Sequence, residues 1–335
     1  MNAVLHERAL AAAVLILGIA AARAAPASTY HFVDLGPGTA TAINARGAVA
    51  GSSLPAGSDV ARAGAWFKGE WHLKGSKTLA SSPAGIDGVG DLVGRQSNGA
   101  ATVWPRQGDR FRLRMAENTQ SGYATGISPD GSAIVGYTNI DADSSVNYCY
   151  HATLAGGTVL IVGGFACTAW GVNDAGQVAA QQLNDDHLEA VLLDLATGGA
   201  TFVGRSAGSR SSAAYALNAA GHVAGASTFA DAHTMGFRWD GGALQEIGDL
   251  GHGSSATAIN DGDDVAGTAA DGEGVLHAVL YSGGALVDLN PLVDDFHGLA
   301  IARVNALGAD GTVVGTATAG TQTHGFLLVP QSARR

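Results

Sequence analysis

One unit recurs along this chain, and its period constrains the fold more than any other property of the sequence. Thr41-Ala42-Ile43-Asn44-Ala45-Arg46-Gly47-Ala48-Val49-Ala50-Gly51 returns as Thr257-Ala258-Ile259-Asn260, with Val265-Ala266-Gly267 shortly after. It returns again as Ala216-Leu217-Asn218-Ala219-Ala220-Gly221-His222-Val223-Ala224-Gly225 and as Gly171-Val172-Asn173-Asp174-Ala175-Gly176-Gln177-Val178. Looser copies contain Ile86 and Ile127, and a last one, with a longer turn, opens at Arg303-Val304-Asn305. With Ile43, Ile86, Ile127, Val172, Leu217, Ile259 and Val304 as anchors, seven units follow one another at 41 to 45 residues.

Each unit holds four short β signals. Small and branched residues alternate up to the Asn. Asn, Asp or Ser with Gly three later suits a type I turn closed by a left-handed glycine. Val-x-Gly is the second strand. The third is recognisable in Ala65-Trp66-Phe67 and His277-Ala278-Val279, and the fourth in Leu286-Val287-Asp288-Leu289. Four strands at this period predict an all-β fold: a seven-bladed β-propeller of four-stranded antiparallel blades. The seventh unit stops after its third strand, near Val329, while an unmatched His31-Phe32-Val33-Asp34-Leu35-Gly36 precedes the first unit and resembles Glu246-Ile247-Gly248-Asp249-Leu250-Gly251. The N-terminal strand is therefore expected to complete the last blade and close the ring, which removes exposed strand edges.

Residues 25–335 are read as this single domain, and residues 1–24 as an export signal. Met1 to Arg8 is a short polar start, Ala9 to Ala21 an apolar run, and Ala22-Arg23-Ala24 a small-x-small cleavage pattern. The run has 13 residues, short of the roughly 20 that a membrane span needs. A secreted or periplasmic protein without a membrane span, and a monomer, is expected.

The Ala-Ile-Asn-x-x-Gly-x-Val-x-Gly unit, followed by His-Ala and an Asp-Leu strand, resembles the HAF-repeat family of bacterial extracellular proteins. The name-giving residues are best kept at His324-Gly325-Phe326 and His277-Ala278-Val279, and partly at His151-Ala152-Thr153. The resemblance covers essentially the whole chain after the signal. It implies export and a repeat β fold, and no settled biochemical role.

Charge removes one class of partner. Lys and Arg number 18 against 29 Asp and Glu, a net charge of −11, the wrong sign for a nucleic-acid binder. The connections between second and third strands (52–62, 137–148, 181–188, 227–234, 268–275) read as long, variable and acidic, and variable loops on a rigid scaffold carry function. Within one of them, Asn139, Asp141 and Asp143 have the alternate-oxygen spacing that begins a calcium loop, but Ser144 stands where the sharp glycine belongs and Tyr150 takes the twelfth position. A calcium ion at this loop is thus a weak expectation, and no other cofactor is expected. The recurring histidines His151, His277 and His324 are read as supports within each blade, bonding a loop carbonyl. Gly204-Arg205-Ser206-Ala207-Gly208 matches a nucleophile-elbow pattern only formally, since it lies in a link between blades.

Residues that break the repeat are the better candidates for binding. Arg303 stands where other units have Ala or Gly on the innermost strand, so its guanidinium is expected to face the central channel and take a carboxylate or sulfate. Trp170 and Tyr215 replace smaller residues in neighbouring units and suggest a stacking platform for a sugar ring, or packing between blades. Glu189 replaces the recurrent His, and His187 lies two residues before it. Cys149 and Cys167, the only cysteines, fall on one face of neighbouring blades and are expected to form a disulfide.

No nucleophile–base set or metal cluster emerges. The leading expectation is a non-enzymatic scaffold presenting a face to a carbohydrate or protein ligand. The alternative is a polysaccharide-acting lyase or hydrolase at the channel mouth, which requires Arg303, Glu189, His187 and the Trp170/Tyr215 pair to converge within about 10 Å.

Overall fold

The computed structural model describes residues 29–115, 121–139, 146–155, 160–161 and 166–331. The export segment, Asp141 and Asp143 lie outside these residues. The described chain is all β apart from one 3-10 turn, Asn290–Leu292, and no helix in it is long and apolar enough to cross a membrane.

Five four-stranded antiparallel meanders span 81–112, 121–161, 167–204, 211–246 and 251–288. A sixth sheet has seven strands, in the order Ala300–Leu307, Val313–Ala319, Gln322–Gln331, Thr29–Ile43, Val49–Ser53, Arg62–Phe67, Glu70–Leu73. Its central strand, β1 (Thr29–Ile43), does two jobs. Its first part pairs with Gln322–Gln331, from Thr29 opposite Gln331 to Asp34 opposite Phe326. Its second part pairs with Val49–Ser53. Phe32 anchors the first part, stacked on Phe326 with ring centroids 5.5 Å apart and edge-on to Phe296. Asp294 clamps the same stretch: it accepts from His31 Nδ1 at 2.6 Å and from the Phe32 amide at 3.1 Å.

The innermost strand of every meander carries a bulge at one equivalent residue: Thr41, Ala84, Thr125, Trp170, Tyr215, Thr257 and Asn305. The bulge explains the glycine of Val-x-Gly. It presses the carbonyl of the residue two before it onto the second strand, so that a Cβ at Gly51 would stand 2.0 Å from Thr39 O, and one at Gly267 1.9 Å from Ser255 O. Only the 167–204 sheet carries a side chain at this position, Ala180.

The bulge also fixes the register of the last unit, which differs from the sequence reading. Leu307 pairs with Val313 as Ile43 pairs with Val49, so Leu307, not Val304, is the equivalent anchor. The first turn residue is Gly308, 48 residues after Asn260. An additional irregularity between Ile301 and Arg303 takes up part of the longer unit. Four expected loops are also shorter than anticipated, because the second and third strands run on into them. In the 167–204 sheet only Asp185 and Asp186 separate Gln177–Asn184 from His187–Asp194.

Two measurements test this packing. Gly267→Ala should destabilise by about 1–3 kcal/mol through overpacking against Ser255 O, read as a lower urea midpoint; an unchanged midpoint would contradict the close approach. The second concerns acid. The His31 and Phe32 N–H bonds hold the Asp294 carboxyl, ordinarily near 3.8, down to about 2. A depressed carboxyl stabilises the folded state above its unfolded value and loses that contribution as pH falls through the folded one. The urea midpoint should therefore fall between about pH 4 and about pH 2 more steeply in the wild type than in Asp294→Asn.

Candidate functional site

In a four-strand meander the turns joining strands one and two, and three and four, emerge at one end. The connections joining strands two and three, and the links to the next sheet, emerge at the other. One row of residues lies toward this second, loop-bearing end. On the innermost strands it reads Thr39, Ser82, Tyr123, Thr168, Ala213, Ser255 and Arg303; on the second strands it reads Ser52, Arg95, Tyr137, Gln181, Ala226, Thr268 and Thr316. Most of these residues are small or hydroxylic. The large exceptions are Arg95, Tyr123, Tyr137, Gln181 and Arg303, and Gln181 donates to Ser212 O at 2.9 Å.

Tyr123 and Tyr137 stack with centroids 4.7 Å apart and planes 10° from parallel. The Arg95 guanidinium lies over the Tyr123 ring at 4.2 Å, and it makes no ion pair among the described residues. Stacking uses the face of the guanidinium and leaves its in-plane donors available. Burial raises the Tyr137 hydroxyl above its ordinary pKa, with Tyr123 adding to the shift and Arg95 opposing it. Beside this group a cavity of about 460 Å³ opens between the seven-stranded sheet and the 81–112 meander, lined by Thr39, Ser52, Ser82, Arg95, Gln96 and Ser97 among others. Gln96 is only 2% exposed, and its amide nitrogen has no hydrogen-bond partner.

The expected site residues separate into two places. Arg303 is exposed and matches Thr39, not Ala42 as the repeat alone suggested. Tyr215 is buried enough for its hydroxyl to be shifted upward, and the Arg303 charge opposes that shift, which places the guanidinium within electrostatic reach of the ring. Trp170 and Tyr215 are in contact, but edge to face, with centroids 5.2 Å apart and planes at 82°. They form no flat platform. Both occupy the bulge, where Thr41, Thr125 and Thr257 bond a carbonyl of the next sheet, so the rings supply by packing what those hydroxyls supply by hydrogen bonding.

Glu189 and His187 lie apart from this pair. Glu189 is in register with Gln182 and Cys167, while Trp170 is two strands inward and further along. Strand geometry separates their backbones by roughly 12 Å. Glu189 accepts from Asn184 Nδ2 at 2.6 Å and faces His187 Nε2 at 3.4 Å, and His187 Nδ1 bonds Asp186 at 2.9 Å. Among the described residues no hydrogen bond or ion pair joins Glu189 or His187 to Arg303, Trp170 or Tyr215.

The other histidines are structural in a different way from that expected. His277 Nδ1 bonds Asp288 and His324 Nδ1 bonds Asp34, each at 2.8 Å. The partner is thus an aspartate of the fourth strand, not a loop carbonyl. His151 does not belong with them: it pairs with Val135, whereas Tyr148 takes the equivalent position. Burial lowers the pKa of the His151 imidazole. Loop carboxylates are likewise satisfied locally, Asp231 by His233 and Asp271 by His277. No group of three metal-ligating side chains occurs among the described residues. Asn139 bonds Asn147 Oδ1 at 3.2 Å. Ser206 lies in the link between Ala200–Gly204 and Ser211–Leu217, without a helix to form an elbow.

Cys149 and Cys167 are bonded, with Cα atoms 5.2 Å apart, and tie the 121–161 sheet to the 167–204 sheet. Replacing both by Ser should cost about 2–4 kcal/mol. A reductant should shift the wild-type denaturation midpoint by the same amount and leave the double variant unmoved.

No family model matches the chain, and no curated protein matches it in sequence. Solved structures do resemble it. The putative TolB from Agrobacterium tumefaciens aligns with a TM-score of 0.52 at 14% identity, over 79% of this chain and 95% of that one. The β-propeller domain of the Trilobed protease from Pyrococcus furiosus aligns at 0.53 and 11% identity, over 77% and 86%. An oligogalacturonate lyase from Vibrio parahaemolyticus aligns at 0.59 and 8% identity, over 90% and 97%. Identities this low carry the fold alone. That fold is a β-propeller. The neighbours include an enzyme and a propeller domain of a protease, so likeness of fold does not choose a function.

Proposed function

We propose that this chain is an exported HAF-repeat propeller of seven blades, closed by β1, that acts as a non-enzymatic scaffold and takes a carbohydrate at the mouth on its loop-bearing end. The observation that carries the reading is the mouth itself: a cavity of about 460 Å³ lined by Thr39, Ser52, Ser82 and Ser97 hydroxyls, with Arg95 laid on stacked tyrosines beside it. Sugars are bound by such sets, hydroxyls and amides for their hydroxyl groups and aromatic faces for their C–H surfaces. Closure is supported by the pairing of β1 with both Gln322–Gln331 and Val49–Ser53, and by Asn305 Nδ2 donating to Ala40 O at 2.7 Å across the joint between first and last units. Export is supported by the disulfide, which persists in oxidising compartments. The acidic surface sets nucleic acid aside as a partner.

A thermal-shift screen of the processed protein against acidic and neutral oligosaccharides and divalent cations, with chelator-treated protein as reference, tests this. At one hundred times its dissociation constant a ligand adds about 2.7 kcal/mol, a visible rise in midpoint. A saturable rise is expected with one sugar class, lost in Tyr123→Ala and Arg95→Gln, with no new reducing ends or unsaturated products. Turnover of the sugar would replace the scaffold reading by the lyase or hydrolase one. A flat response to every sugar would remove the carbohydrate.

A further inference from the structure

The opposite end of the molecule carries a second site of different chemistry. A groove of about 500 Å³ lies between the Thr29–Leu73 part of the seven-stranded sheet and the 81–112 meander, among the turns that join strands one to two and three to four. Arg46, His72, Lys74 and Arg106 line it, over an apolar floor that includes Phe67 and Val89. No carboxylate is among the lining residues. In a chain of net charge −11, whose general field repels anions, three permanent cations around one groove are a local reversal of sign.

The cations are not consumed by internal pairing. Arg46 and Arg106 are exposed, and their guanidinium groups have no hydrogen bond or ion pair among the described residues. Lys74 is held in place: its ammonium donates to Pro105 O at 2.6 Å and Arg106 O at 2.7 Å, leaving a third proton for another acceptor. Two acids stand nearby. Asp91 accepts from the Arg106 backbone amide and acts on Lys74, and Glu70, largely exposed, is 3.6 Å from His72. Arg46, Lys74 and Arg106 outnumber these two carboxylates, Asp91 and Glu70, and the side chains that line the groove itself are cationic or neutral. Its floor is accessible: Val89 is 49% exposed, and the volume is that of a small-molecule site.

We propose that this groove binds a phosphate monoester carried on a flat apolar group, with the phosphate between Arg46, Arg106 and Lys74 and the apolar body on Phe67 and Val89. A phosphate monoester carries about −1.5 to −2 charges at neutral pH, and its three oxygens suit two guanidinium forks and a fixed ammonium. Inorganic phosphate lacks the body for the floor. A carboxylate or sulfate ester brings a single charge. The site is at the other end of the molecule from the sugar-binding mouth and does not depend on that reading.

Calorimetric titration of the intact protein with phenyl phosphate, against inorganic phosphate, phenol, phenyl sulfate and benzoate, tests it. Phenyl phosphate should bind at least tenfold more tightly than each of the others, and its affinity should fall as salt rises. Arg46→Gln and Arg106→Gln should each weaken it about tenfold, equivalent to about 1.4 kcal/mol, with thermal midpoints unchanged because both side chains are exposed. Val89→Ser should weaken phenyl phosphate but not inorganic phosphate, and Arg95→Gln at the mouth should leave both unchanged. Equal binding of phenyl phosphate and inorganic phosphate would mean an adventitious ion only. Equal binding of benzoate or phenyl sulfate would overturn the dianion, as retention of affinity in the two arginine variants would overturn the site. Absence of binding at millimolar phenyl phosphate would also end the proposal.

Discussion

The Thr41 hydroxyl lies between Ala50 O of its own sheet, at 3.1 Å, and Pro83 O of the next, at 3.0 Å, sharing one proton between two carbonyls. Thr125 reaches Ala169 O at 2.8 Å, Thr257 reaches Val304 O at 2.8 Å, and Asn305 reaches Ala40 O at 2.7 Å from the equivalent bulge. Sheets that meet face to face otherwise adhere through apolar contact, which has no direction. A polar bond from one innermost strand to the next fixes how far each sheet advances along its neighbour. The bulge that presents the hydroxyl also presses a carbonyl onto the second strand, and the glycine of Val-x-Gly follows from that contact. At the turn end Asn44, Asn173 and Asn218 add a second set of links, to Asp87 O, Asn218 O and Asn260 O. The repeated Asn thus serves the neighbouring unit as well as its own turn.

Much of this was legible in the sequence. The Asn-x-x-Gly turns, the four-strand rhythm and the cysteine pair were all readable from spacing. The misplaced anchor shows the limit. Arg303-Val304-Asn305 imitates Ala42-Ile43-Asn44 in letters, yet the strand continues to Leu307, because an irregularity in a strand costs a residue without leaving a mark in composition. Asn305 is nonetheless informative: it sits at the bulge and does there what threonine does elsewhere.

The mouth was less legible, for a reason of geometry. Interest fell on residues next to the Asn, where Trp170 and Tyr215 depart from the pattern, and these turned out to pack on each other. The residue directly after the Val-x-Gly glycine was the better place to look. It reads Ser52, Arg95, Tyr137, Gln181, Ala226, Thr268 and Thr316, and two of its three large members, Arg95 and Tyr137, meet Tyr123. Which side of a strand faces an opening depends on where the bulge resets the alternation, and no periodicity of two reports that. Loop carboxylates show a related limit: His187 pairs with Asp186 and His233 with Asp231, which loop composition does not report.

β1 belongs to two neighbourhoods at once, and this has a consequence for the order in which the chain becomes a folded protein. Its second half finds Val49–Ser53 a few residues away, so that hairpin can form as soon as it is made. Its first half must wait for Gln322–Gln331, nearly the whole length of the chain later. Until then Phe32 has no Phe326 to stack on, and an apolar strand edge stays open at each terminus. Closing so long a loop is slow, although its entropic cost grows only with the logarithm of length. The last contact made is therefore also the one whose loss would expose both ends together, and a protease that trims either terminus by a single strand would leave its counterpart unpaired.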